Sequence, residues 1–138
     1  MDATPTPAWL DRAQWPFPAR FHQLPEGHLH YVDEGEGAPI LFSHGTPTWA
    51  FEWRHVLAGL PNARRIAVDH LGFGLSDRPP DAGYRPEDHA RRFAEFAESL
   101  DLHDVTLVVH DFGGPIALQW ALDHPDRLKR LVILNSSS

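Results

Sequence analysis

The chain has 138 residues and a formal charge of −7, from 12 Lys and Arg against 19 Asp and Glu, which argues against a nucleic-acid binder or a protein drawn to anionic membranes. Hydrophobic residues make up 42% and charged residues 22%, with eight Phe and five Trp, so the composition suits one packed domain rather than a disordered chain. There is no cysteine, which removes disulfides, thiol nucleophiles and thiolate metal sites.

Residues 1–20 carry Pro5, Pro7, Pro16 and Pro18 beside Trp9 and Trp15, a pattern that predicts an arm lying across a surface, anchored by its aromatics. No apolar run of about 18 residues occurs and no secretory leader is visible, so a soluble, cytoplasmic protein is expected. Residues 21–138 are expected to form the core. From Phe21 to Val32 the apolar residues break at Pro25-Glu26-Gly27, which predicts a β-hairpin leading into the glycine-rich loop Glu34 to Gly37.

Beyond that loop, short branched apolar runs alternate with longer periodic segments. Ile40-Leu41-Phe42, Ile66-Ala67-Val68, Val105 to Val109 and Leu131 to Leu134 each read as strands. Between two of them, Ala90, Phe93, Ala97 and Leu100 recur at helical spacing, with Arg91, Arg92, Glu95 and Glu98 on the outer side and Pro86 in the first turn. Ile116, Leu118, Trp120 and Leu122 predict a helix buried against the sheet. Strand–helix alternation of this kind gives right-handed βαβ units and a mostly parallel α/β sheet. Little follows Leu134, so a further segment is expected to cover the last strand.

Chemistry concentrates in three segments. The first is Leu107 to Ile116, in which an apolar strand ends at His110-Asp111 and passes at once through Phe112-Gly113-Gly114 into a helix, the context of a nucleophile elbow. Asp111 stands where a serine hydrolase has Ser, and Val109 replaces the glycine two residues earlier. A carboxylate there attacks saturated carbon and forms an ester. The plainer reading is an Asp that caps the following helix.

The second segment, Ser43-His44-Gly45-Thr46-Pro47-Thr48-Trp49, follows an earlier strand and matches the loop that supplies a second oxyanion N–H. His44 is read as shaping that loop rather than as a base, and Thr46 as acting through its backbone. In the third, Val68 to Pro79, the spacing of Gly72 and Gly74 is a poor dinucleotide-binding match, so it reads as a structural turn with Ser76 and Asp77 bonding their own backbone. The ten histidines show no metal-ligand spacing, and neither a metal nor a cofactor is expected.

Taken in order, His44 to Trp49, Asp69 to Pro79 and His110 to Pro115 resemble the N-terminal half of an α/β-hydrolase of the haloalkane dehalogenase and epoxide hydrolase branch, nearest to the dehalogenases. The resemblance implies an α/β-hydrolase fold that stops before the cap domain and the last strands. It also implies that Asp111 displaces a leaving group, and that a water activated by a His–acid pair, absent from this sequence, hydrolyses the ester. By the same resemblance the backbone N–H groups of Thr46 and Phe112 form the oxyanion hole, while His44, Gly45, Pro47, Gly113 and Gly114 shape its loops. The implied partners are a small apolar haloalkane or epoxide and a complementary C-terminal segment, with neither nucleic acid nor membrane. Dehalogenases usually carry Trp after the nucleophile, and one large group has Asn at the Thr46 position; Phe112 has no side-chain N–H. Some members place the acid after the sixth strand, where this chain has Asn135.

Overall fold

The computed structural model describes residues 6–136. The first five residues of the expected arm and the last two serines lie outside them. The predicted hairpin is β1 (Arg20–Leu24) and β2 (Gly27–Glu34), paired antiparallel around Pro25-Glu26. The apolar runs become β3 (Pro39–Ser43), β4 (Arg64–Val68), β5 (Val105–His110) and β6 (Leu128–Leu134). A 3-10 turn, Ala50–Trp53, runs into α1 (Arg54–Gly59); α2 (Pro86–Ser99) and α3 (Gly113–Asp123) complete the fold.

One six-stranded sheet has the order β1-β2-β4-β3-β5-β6. The hairpin joins it antiparallel through β2 and β4, and β4, β3, β5 and β6 are parallel. Strand alternation divides the core into two layers. Leu41, Ile66, Val68, Leu107 and Val109 meet Phe93, Phe96 and Trp120 of α2 and α3 on one face. Phe42, Ala67 and Val108 meet Trp53, Leu57 and the arm residues Trp15 and Phe17 on the other. Trp15 is fully buried, 4.8 Å from the Phe17 ring and 5.0 Å from the Trp49 ring, so the arm is fastened to the layer that carries the 3-10 turn. Burying a side chain of this size contributes about 3 kcal/mol.

Three expectations require correction. Arg92 is not on the outer side of α2: it is buried, its Nε donating to Glu26 Oε2 at 2.8 Å and its Nη2 to the Gly83 carbonyl at 2.5 Å. The hairpin turn delivers a carboxylate to that spot, and Arg92 with Arg91 holds Glu26 down at about 2. Leu122 does not share the burial of Ile116, Leu118 and Trp120, because it falls on the solvent side of α3 and is 71% exposed. Ser76 and Asp77 do not simply close their own turn. Ser76 Oγ accepts from His30 N and donates to the Asp69 carbonyl, and Asp77 Oδ2 accepts from His28 N, which stitches the 69–77 loop to β2.

Leu131, Val132, Ile133 and Leu134 of β6 are each 39–48% exposed, so both faces of this strand stay open. Among the described residues no helix is long and apolar enough to cross a membrane.

Candidate active site

The site follows from topology. From β3 the chain crosses one face of the sheet to reach β4, and from β4 it crosses the other face through α2 to reach β5, on the far side of β3. The loops leaving the C-terminal ends of β3 and β5 therefore diverge, and the crevice between them is where α/β sheets bind ligands. Ser43 is in register with Val109, so His44-Gly45-Thr46 and His110-Asp111-Phe112 start side by side.

Asp111 has φ +53°, in the left-handed region. The strained residue turns the chain sharply from β5 into α3 and leaves its side chain at the rim. Its Oδ2 accepts a hydrogen bond from Thr46 N at 3.0 Å. The Thr46 and Phe112 amides together hold the carboxyl below its ordinary 3.8. No side chain caps α3. The carboxylate thus reaches across to the neighbouring loop, where a capping Asp would turn back into the helix. Two close approaches make this geometry fit. A Cβ on Gly113 would lie 2.2 Å from the Ser43 carbonyl oxygen, and one on Gly45 would lie 2.7 Å from Asp111 Cβ.

His44 is buried and uses both ring nitrogens. Nε2 accepts from His70 N at 3.0 Å, which leaves the proton on Nδ1 to donate to the Gly45 carbonyl at 2.7 Å. Burial lowers its pKa and keeps it neutral. Ser43 Oγ donates to the Gly113 carbonyl and lies 3.1 Å from His70 Nε2, so the two loops are also tied beneath the rim. A concavity of about 360 Å³ opens above Asp111, lined by Phe112, Pro115, Asn135 and Ser136. Ser136 Oγ donates to the Asp111 carbonyl at 2.5 Å. A second, of about 170 Å³, lies against Thr46, Phe73, Tyr84, His89 and Phe112. Among the described residues no group of three or more His, Asp or Glu is placed to hold a metal ion.

The sequence profile of the alpha/beta hydrolase fold matches residues 38–138, most of the chain. The chain belongs to the α/β-hydrolase fold family. It is 41% identical over 137 residues to haloalkane dehalogenase 2 of Mycobacterium tuberculosis (strain ATCC 25618 / H37Rv), covering 99% of this chain and 46% of that protein. It is 39% identical over 127 residues to cis-3-alkyl-4-alkyloxetan-2-one decarboxylase of Shewanella oneidensis, covering 89% of this chain and 40% of that protein. The crystal structure of the haloalkane dehalogenase DatA from Agrobacterium tumefaciens C58 superposes with a TM-score of 0.81 at 37% identity, over 86% of this chain and 41% of that one. This hydrolase-fold chain therefore spans about half the length of the curated relatives it matches.

The structure brings Asp111, Thr46 and Phe112 together at one rim, with Asn135 beside them, and His44, Gly45, Pro47, Gly113 and Gly114 belong to the two loops that carry them. Two acidic residues support these loops through contacts that the sequence pattern did not announce. Asp69, fully buried, accepts from His30 Nδ1 at 2.8 Å, Ala50 N at 2.7 Å and Leu75 N at 2.9 Å. Glu52 accepts from Gly45 N at 2.8 Å and sits 2.8 Å from His110 Nδ1. Both leave a trace in the sequence: Asp69 ends an apolar strand as Asp111 does, and Glu52 is a lone acid inside Trp49-Ala50-Phe51-Glu52-Trp53.

Proposed function

We propose that this chain carries the nucleophile of a hydrolase of the haloalkane dehalogenase type. A carboxylate oxygen of Asp111 attacks the carbon bearing the halogen, a C–O bond forms as the C–halogen bond breaks, and halide leaves with the bonding pair. The resulting ester on Asp111 is hydrolysed by a water whose proton passes to a His. That His and its acid come from a complementary C-terminal segment, and the Thr46 and Phe112 amides stabilise the negative oxygen that develops as water attacks the ester. Residues 1–20 act as a surface arm on a core of residues 21–138, and the substrate is small and apolar.

The observation that supports this reading is the direction of the Asp111 side chain, across to Thr46 N from a left-handed elbow, with no role as a helix cap. A second reading has its own support. A relative 39% identical to this chain is named for a four-membered oxygen ring, so a strained ring opened by the Asp111 carboxylate is the alternative substrate; Phe112, 52% exposed and without an N–H, does not discriminate between an epoxide and a haloalkane. The test is intact-mass spectrometry after incubation with a short bromoalkane, an epoxide or an oxetan-2-one. The reading expects a bromoalkane adduct that maps to Asp111 and is lost in Asp111→Asn. An adduct from a ring substrate alone selects the second reading, and none from any probe overturns both.

A further inference from the structure

Glu52 stands between the two loops that form the site and touches both. Its Oε2 accepts the Gly45 amide at 2.8 Å, one residue before Thr46, and its Oε1 lies 2.8 Å from His110 Nδ1, one residue before Asp111, a close approach without hydrogen-bond alignment that is an ion pair when His110 carries its second proton. The carboxylate is largely shielded, its side chain 20% exposed. Its own position is fixed twice: Ala50 N, at the start of the 3-10 turn that carries it, donates to Asp69 Oδ1 at 2.7 Å, and Trp53 packs edge-on to the His110 ring at 6.3 Å. The adjacent Arg54 is engaged elsewhere, 4.0 Å over the Phe51 ring and bonded to the Phe51 carbonyl.

We propose that Glu52 is a positioning residue, a two-pronged clamp that locks the Gly45-Thr46 turn onto the nucleophile elbow by bonding the Gly45 amide with one oxygen and abutting the His110 ring with the other. This rests on Asp111 being the nucleophile. The packing allows little slack: a Cβ at Gly45 would lie 3.0 Å from His110 Nδ1 and 2.7 Å from Asp111 Cβ, so the loops already touch. A shift of the Gly45 peptide therefore carries Thr46 N away from Asp111 Oδ2, which it now meets at 3.0 Å. A carboxylate suits the task because one oxygen accepts the Gly45 N–H while the other faces the His110 ring, and removing it leaves the Gly45 N–H without a partner at a crowded junction.

The experiment follows the alkylation of Asp111 by bromoalkane over a range of concentrations, in the wild-type chain, Glu52→Ala and Glu52→Gln. Misplacing a reacting group by a fraction of an ångström to an ångström costs about tenfold to a hundredfold in rate. Glu52→Ala is therefore expected to lose at least about tenfold in the maximal alkylation rate with an unchanged half-saturating concentration, since no substrate contact is removed. Glu52→Gln, which keeps an acceptor for Gly45 N, recovers part of that loss. A wild-type rate in Glu52→Ala overturns the clamp, as does a change confined to half-saturation. Should Glu52→Ala not fold, a Gln variant with wild-type rate and wild-type amide shifts overturns it too. If the wild-type chain forms no adduct, it is the nucleophile reading that fails. The clamp is then judged by the ¹H–¹⁵N resonances of Gly45 and Thr46, which move together in Glu52→Ala if it exists and stay in place if it does not.

Discussion

Asp69 and Asp111 each stand directly after a parallel strand, yet the fold puts them to opposite uses. Asp69 follows β4 into a loop that folds back over β2, and its oxygens are consumed: Oδ1 by Ala50 N, Oδ2 by His30 Nδ1 and Leu75 N. Asp111 follows β5 at the point where the loops diverge, and its carboxylate is held at the rim by backbone amides. The same residue type in the same local setting becomes an internal tie in one place and a presented nucleophile in the other. What differs is whether the neighbouring loops close over it or part beside it. The two are connected through His70, whose amide meets His44, and through the Gly45-Thr46 turn that follows His44.

The largest effect is expected from Asp69→Ala. It strands His30 and two amides in the interior, and removing one partner of such a buried group costs about 3–5 kcal/mol. Urea unfolding measures it, and a near-neutral result would erase the contrast.

The histidines linking the two acids give a smaller, pH-dependent effect. His89 packs 5.9 Å from His70, and its pKa falls from 6.5 to about 4, chiefly through burial, with Arg92 and His44 adding to it and Asp88 opposing. The folded form thus prefers neutral His89, while the unfolded chain takes up a proton below 6.5. Stability should fall as pH drops from 6.5 towards about 4. His89 Nδ1 has no hydrogen-bond partner among the described residues, so His89→Phe should be tolerated at neutral pH and should flatten this slope in melts across the range. His44 and His70 are shifted in the same direction by burial and keep the remainder.

The smallest effect on stability is expected from Asp111→Asn. Asn tolerates the left-handed region as Asp does, so the melting temperature should stay within about 2 °C of wild type. A loss as large as that of Asp69→Ala would make Asp111 a second structural tie.

Local patterns made much of this legible. Branched apolar runs marked β3 to β6, Pro86 marked the start of α2, and the strand-to-glycine junctions at Ser43-His44-Gly45 and His110 to Gly114 marked the rim. What stayed hidden depends on partners distant in the chain. Arg92 turns inward only because the hairpin supplies Glu26, 66 residues away, and periodicity within a helix cannot register a partner on another element. Asp69 with His30, and Glu52 with His110, are likewise pairings that exist only once strand order is fixed. Ser76 and Asp77 carried the signature of a self-contained turn, and the nearby edge of β2 took up their side chains instead.

The left-handed backbone at Asp111 has a practical corollary elsewhere in the chain. Among the described residues, the other non-glycine positions with positive φ are Asp101, Asp104 and Asn135, so short polar side chains fill every such turn. Asp101 also meets Arg127 at 3.4 Å and His103 at 3.2 Å, so its charge has a use, whereas at Asp104, just before β5 and at the opposite end of that strand from the rim, the backbone asks for the shape. Asn at Asp104 would keep the turn and, by removing one acid, bring the formal charge from −7 to −6. Charge trimming for formulation or crystallisation can begin there, without touching the carboxylate whose charge the proposed chemistry requires.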